Sequence, residues 1–99
     1  MSRPVKLSPE VVSSALASLS GWSVVDDKLH REYKFADFAH AFGFMAAVAT
    51  AAEKLDHHPD WLNVYNRVTV NLSTHDAGGI TELDLKLAET MEKLAQKLQ

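Results

Sequence analysis

The 99-residue sequence has no cysteine, which excludes disulfides, thiol nucleophiles and cysteine-ligated zinc sites. It also has no surplus of basic residues: ten Lys and Arg stand against thirteen Asp and Glu, so direct binding of nucleic acid is not expected. No hydrophobic run approaches the roughly 20 residues that cross a bilayer, and the start of the sequence has no apolar signal-peptide core. These absences predict a soluble cytoplasmic protein that binds neither membranes nor nucleic acids.

What the sequence does contain is typical of a globular fold, with 46% hydrophobic and 23% charged residues. We find no repeat, linker or low-complexity segment, and the length suits one domain over residues 1–99. A domain of this size buries only about 60–70% of its unfolded surface. Self-association to a homodimer or homotetramer is therefore expected.

Turn residues and hydrophobic periodicity predict three helices and four strands, in the order α-β-β-α-β-β-α. This order predicts an α+β fold with an antiparallel sheet and helices on one face. The helices are predicted to follow the capping residues Ser8, Asp37 and Thr81 and to end at Gly21, near Leu55 and at Leu98, with strands at Trp22–Val25, Leu29–Phe35, Leu62–Asn66 and Val68–Thr74.

The middle helix carries two apolar stripes, so it needs partners on two sides. We expect the sheet to cover one stripe and another subunit to contact the stripe that contains Phe44, Val48 and Ala51. The main stripe is Phe38, Phe42, Met45, Ala49 and Ala52, and the second is Ala41, Phe44, Val48, Ala51 and Leu55.

Polar and aromatic side chains are concentrated at the end of this helix. Glu53, Asp56, His57, His58 and Trp61 all fall within the segment EKLDHHPDW. Carboxylates beside a buried face can hold a histidine in one tautomer. Charged residues also cluster at helix ends without any functional role. The residues alone leave both interpretations open.

A further histidine, His75, follows a predicted strand and enters a loop that contains Gly78 and Gly79. Its neighbours at 73, 74 and 76 all form hydrogen bonds readily. Strand ends that open into such loops often bind ligands. Taken alone, however, His75 is explained more simply as an exposed histidine in a turn, with Asp76 forming a local side-chain hydrogen bond.

Asp84 lies within the apolar stripe of the last helix, where a carboxylate is unexpected. Its position three residues after Thr81 predicts a capping box. A role in a site and a role in capping are compatible with each other.

Three histidines with nearby carboxylates are compatible with a metal site or with proton transfer near neutral pH. The sequence has no HxH or HExxH spacing, and adjacent side chains such as His57 and His58 tend to point apart. Histidine is the usual side chain for proton transfer near neutral pH, and the residues alone leave both mechanisms open.

Four segments resemble the pterin-4a-carbinolamine dehydratase family: EKLDHHPDW, NVYN, LSTHDAGGIT, and the helix ELDLKLA that contains Asp84. The resemblance extends from about Phe35 into the last helix. It implies a four-stranded antiparallel sheet with three helices on one face, assembled as dimers or tetramers. It also implies dehydration of 4a-hydroxytetrahydropterin to quinonoid dihydropterin, in tetrahydrobiopterin recycling, without a metal or cofactor.

The resemblance further implies roles for individual side chains. His57 and His75 would act as acid and base, and His58 would contribute mainly to pterin binding. The implied catalytic residues are His57, His58, His75 and Asp84, and the implied substrate-binding residues are Glu53, Asp56, Trp61, Ser73, Thr74 and Asp76.

A second function class follows from the same resemblance. Animal members of the family also bind a homeodomain transcription factor as a dimerisation cofactor. A coactivator-type binding module with residual activity is therefore the alternative, with a hydroxylase or a transcription factor as its protein partner. A module that only binds protein would not need His57, His58 and His75 together.

Overall fold

Four antiparallel strands and three helices make up the fold of residues 4–99, which are the residues that this computed structural model describes. The order of elements is the predicted one, and the α+β prediction is confirmed. Residues 1–3 of the predicted domain lie outside the described residues. The elements are α1 (Pro9–Leu16), β1 (Ser23–Val25), β2 (Lys28–Lys34), α2 (Phe38–Leu55), β3 (Asp60–Val64), β4 (Arg67–Leu72), a 3₁₀ turn (His75–Ala77) and α3 (Glu82–Leu98).

The strands are arranged in the order β1-β2-β4-β3, so β4 lies between β2 and β3. Leu29 at the start of β2 pairs with Leu72 at the end of β4. On the other side of β4, Asp60 at the start of β3 pairs with Asn71. The β1–β2 turn, the end of β4 and the start of β3 therefore lie side by side at one end of the sheet.

The first helix is shorter than predicted, because it ends at Leu16 rather than at Gly21. The chain still reaches the buried Leu19 through a turn in which Leu19 N–H donates to Leu16 O at 3.0 Å. The Ser18 hydroxyl donates to Ala15 O at 3.0 Å. Such local side-chain bonds offer the backbone an alternative to a continued helix.

The sequence-based assignment of the two faces of α2 is wrong. Phe44 and Val48, which were expected at a subunit contact, are completely buried within the single chain. Phe38 and Phe42 lie on the outer face instead, with 50% and 57% of their surface exposed. Both stripes are similarly apolar, so periodicity alone could not identify the one that faces the sheet.

Helix α3 buries the small residues Ala88 and Ala95 together with Leu87 and Met91. Small side chains let α3 pack closely against α2. The last helix was predicted to bury a stripe of Leu83, Leu87, Met91, Leu94 and Leu98, but Leu83, Leu94 and Leu98 are only half-buried. None of the helices within residues 4–99 is long and apolar enough to span a membrane.

A polar network crosses the core between the sheet and α3. The Glu92 carboxylate accepts hydrogen bonds from Tyr33 OH at 2.5 Å, Trp22 Nε1 at 2.8 Å and Arg31 Nε at 3.1 Å. The Arg31 guanidinium also lies 4.3 Å from the centre of the Tyr33 ring. Arg31, which interrupts the apolar side of β2, is thus paired at the edge of the core. Burial, followed by the nearby Glu92 carboxylate, raises the pKa of Tyr33 far above its ordinary value.

Candidate active site

The end of α2 places His57 in the interior of the molecule. Asp56 closes the helix in the left-handed conformation, with φ 54°, and His57 N–H donates to Ala52 O at 3.1 Å. Aspartate tolerates this conformation better than most residues, although glycine is the usual choice. The side chain of Asp56 is exposed, whereas that of His57 is buried.

His57 contacts the buried carboxylate of Asp84, which belongs to α3. His57 Nε2 lies 2.5 Å from Asp84 Oδ1. The second oxygen, Oδ2, accepts from Thr81 N–H at 2.8 Å and from the Thr74 hydroxyl at 2.9 Å. The predicted capping box is confirmed, and the same carboxylate reaches His57. The two hydroxyls of Thr74 and Thr81 lie 2.6 Å apart.

This network determines the tautomer of His57. A carboxylate that already accepts two hydrogen bonds is an acceptor toward His57, so Nε2 carries a proton. Nδ1 has no hydrogen bond within the described chain. Every buried side-chain nitrogen or oxygen of the described residues does have a hydrogen-bond partner, so Nδ1 is not among the buried atoms and reaches solvent. It is the ring nitrogen that is free to exchange a proton with a bound molecule.

His58 and Glu53 form a second histidine–carboxylate pair, through His58 Nε2 and Glu53 Oε2. Their side chains are 58% and 76% exposed, so this pair is held less firmly than the buried one. Trp61, on β3, is half-buried and packs against the hydrophobic core.

The end of β4 continues into a tight 3₁₀ turn rather than an open loop. Thr74 N–H donates to Gly79 O at 2.8 Å, and Gly78 N–H donates to Thr74 O at 3.0 Å. Gly78 has φ 75°, which favours glycine. His75 and Asp76 are exposed within this turn. Because Thr74 is bonded to Asp84, the turn holds His75 directly beside the buried network.

The structure thus joins three of the predicted site residues by direct contact, namely His57, Asp84 and Thr74. It joins Glu53 and His58 as a separate pair. Neither group of contacts includes the side chains of the other predicted residues, Asp56, Trp61, Ser73, His75 and Asp76.

One feature near His75 was missed by the sequence reasoning. A depression of about 250 Å³ lies between the β4 end and the β1–β2 turn, and it is lined by Asp26, Asp27, Lys28, Ser73, Thr74, His75, Gly78 and Gly79. Asp26 and Asp27 have φ 52° and 63°, in a turn where asparagine and glycine are the usual residues. The two consecutive aspartates in this turn were the feature of the sequence that could have indicated a functional role for it. Within residues 4–99, no three His, Asp or Glu side chains are grouped so as to hold a metal ion.

Known proteins resemble this chain both in sequence and in structure. The sequence profile of a family described as pterin 4 alpha carbinolamine dehydratase matches residues 5–94. A protein of Solibacter usitatus with the name "Putative pterin-4-alpha-carbinolamine dehydratase" is 60% identical over 90 residues, covering 91% of this chain and 95% of that protein. A Bradyrhizobium protein of the same name is 55% identical over 95 residues, covering 94% and 96% of the two chains.

A solved structure from Brucella melitensis has the same fold. It is described as a transcriptional coactivator/pterin dehydratase and superposes with a TM-score of 0.89 at 51% sequence identity. The match covers 91% of this chain and 98% of the other. The two proteins therefore share nearly all of the fold described above.

Proposed function

Because this chain belongs to the pterin 4 alpha carbinolamine dehydratase family, we propose that it converts 4a-hydroxytetrahydropterin to quinonoid dihydropterin and water by histidine acid/base catalysis. The contact between His57 and the buried Asp84 carries this proposal. A buried histidine with one nitrogen held and the other open to solvent is suited to proton transfer rather than to structural support.

The reaction requires two proton movements at neighbouring atoms. The bond between C4a and the hydroxyl oxygen breaks, and the hydroxyl leaves as water after it receives a proton from an acid. N5 loses its proton to a base, and its electron pair forms the new double bond to C4a. Each such transfer by a positioned side chain typically accelerates a reaction by about 10²–10⁴-fold.

We assign these two roles to His57 and His75. They belong to different elements, one at the end of α2 and the other in the turn after β4, so they can approach a flat substrate from different directions. Asp84 is a positioning residue, because it holds the His57 ring and favours the tautomer with a proton on Nε2. Thr74 connects this carboxylate to the segment that contains His75.

The remaining predicted residues would bind the pterin. His58, oriented by Glu53, would contribute mainly to binding, and Asp56 would assist it from the helix end. Trp61 would provide an apolar wall. The polar edge of the pterin would meet the segment 73–76.

Absorbance measurement of carbinolamine dehydration, with and without the protein, tests the proposal. The spontaneous reaction is appreciable, so the rate must rise in proportion to protein concentration. A His57→Ala variant should lose most of this increase, while His40→Ala, which changes an exposed histidine at the opposite end of α2, should retain it. Equal rates for wild type and His57→Ala would contradict the assignment.

We also propose that the protein is a homodimer or homotetramer in the cytoplasm and supports tetrahydrobiopterin recycling. The exposed face of α2 supports the oligomer. Phe38 and Phe42 contact each other there with ring centres 5.9 Å apart, and both are at least half exposed. A second copy of this chain is the partner that the apolar surface suits.

A coactivator-type binding module is the second candidate, and the name of the Brucella melitensis structure favours it. The same α2 face would then contact a transcription factor or a hydroxylase. Two results together would favour this function over the enzyme. The double variant of His57→Ala and His75→Ala would keep its residual dehydration activity, and a protein partner would be captured through Phe42.

A further inference from the structure

The depression beside the β1–β2 turn lies on the opposite side of the β4 end from His57. β4 is flanked by β2 on one side and by β3 on the other. His57 and His58 immediately precede β3, whereas Asp26 and Lys28 belong to the β1–β2 turn and the start of β2. The segment that contains His75 therefore separates two regions, and a ligand that contacts His75 can extend into both.

Contacts with the segment around Lys6 hold the walls of this depression in place. Lys6 Nζ pairs with Asp27 at 3.2 Å, and the Lys6 side chain lies so close to Gly79 that a Cβ there would come within 2.7 Å of it. Leu7 N–H also donates to Ile80 O at 2.8 Å. The segment around Lys6 thus ties the β1–β2 turn to the turn that carries His75.

The walls of the depression offer several kinds of polar group. Asp27 is engaged by Lys6, but within the described chain neither Asp26 nor Lys28 has an ion-pair partner. Ser73 adds a hydroxyl beside them. A carboxylate accepts hydrogen bonds from hydroxyl groups, and an ammonium donates to hydroxyl oxygens. This combination suits a neutral, hydroxylated group better than an anion.

Its size also indicates what it can hold. At about 250 Å³ the depression is smaller than the roughly 300–1,000 Å³ of pockets that enclose a complete drug-sized ligand. It therefore suits a substituent. In a pterin, N5 is bonded to both C4a and C6, so acid and base groups at C4a and N5 bring the C6 substituent close to His75. The aminopyrimidine end lies at the opposite end of the bicycle.

We propose that the depression between Asp26, Lys28 and Ser73 binds the C6 substituent of the pterin and favours a hydroxylated side chain over a methyl group. This inference rests on the proposed function. Asp26 acts as a specificity-determining residue and takes no part in proton transfer.

Two substrates and three variants test the proposal. The substrates are 4a-carbinolamines of tetrahydropterins with either a dihydroxypropyl or a methyl group at C6. Asp26→Gly removes the carboxylate at a position where φ 52° suits glycine, and Asp26→Asn keeps an acceptor without the charge. Glu89→Gln is the matched control, since it removes one charge from an exposed position of α3 outside the depression.

Asp26→Gly should raise KM for the dihydroxypropyl substrate about five-fold, as expected for one lost hydrogen bond to a partly exposed charged group. Asp26→Asn should give a smaller increase. Neither variant should change kcat or the KM for the methyl substrate, and Glu89→Gln should change nothing. An equal KM increase for both substrates, or no increase for either, would overturn the proposal.

An inactive wild type would instead contradict the proposed function, and the subsite can then be tested without turnover. Calorimetric titration with the two corresponding 7,8-dihydropterins measures binding directly. Weaker binding of the dihydroxypropyl ligand alone by Asp26→Gly would support the subsite. Identical affinities in wild type and variant would overturn it.

Discussion

His57 Nε2 and Asp84 Oδ1 lie 2.5 Å apart, although the two residues are separated by 27 positions in the chain. The same carboxylate closes the N-terminus of α3 through Thr81. One buried group therefore links the end of α2, the start of α3 and the end of β4. The fold and the candidate chemistry depend on the same side chain.

Asp84→Asn should reduce kcat by about 10²-fold, because an amide can present a donor to His57 and favour the wrong tautomer. It should also reduce the free energy of unfolding by about 1–3 kcal/mol. Steady-state kinetics and urea unfolding measure the two effects. Asp37→Ala is the control, because it removes the N-cap of α2 and costs about 1 kcal/mol. It should leave kcat unchanged; a similar kcat loss in this control would contradict a specific role for Asp84.

The three site histidines should divide into two kinetic classes. His57→Ala and His75→Ala should each lower kcat with little change in KM, since proton transfer is needed mainly in the transition state. His58→Ala should raise KM instead, and Glu53→Gln should do the same to a smaller extent because the two side chains are paired. The double variant of His57 and His75 should retain almost no catalysis. Comparable KM defects with intact kcat in all three alanine variants would refute this division.

Phe42→Glu and Val48→Glu should have opposite consequences, although both place a charge on α2. Phe42 is exposed in the single chain, so its variant should stay folded and form a smaller particle in light scattering. Val48 is completely buried, and an unpaired charge there costs several kcal/mol, so its variant should unfold. A wild-type protein that is already monomeric at micromolar concentration would contradict the oligomer.

The stability of the protein should fall at alkaline pH through Tyr33. Its pKa in the folded state is raised above the ordinary 10.0 by burial and by Glu92, so the unfolded chain loses this proton first. The contribution is complete below pH 10 and is lost as the pH rises further. Urea unfolding from pH 8 to pH 11 measures the slope, which should be less steep in Tyr33→Phe. Equal slopes would show that other groups cause it.

Activity should not depend on a bound metal ion. Dialysis against a chelator should leave kcat unchanged, because both proton transfers are assigned to histidine side chains. Elemental analysis of the purified protein checks the same point. Stoichiometric zinc or iron that is lost together with activity would contradict this prediction.

Local features of the sequence determined the order of the elements and much of the candidate site. Ser8, Asp37 and Thr81 are caps whose bonds reach only a few residues along the chain, so the starts of the three helices could be predicted. The pairing of Thr81 with Asp84 is equally local. The positions of the three histidines at a helix end and a strand end made them candidates, and the resemblance to a family supplied their roles.

Contacts between distant segments could not be obtained in this way. The two stripes of α2 are similarly apolar, and packing against Tyr33, Phe35 and α3 decides that Phe44 rather than Phe42 is buried. The strand order places the β1–β2 turn beside His75, and the fold brings Asp84 to His57. These arrangements depend on the free energy of packing between distant segments, which the spacing of residues along the chain does not predict.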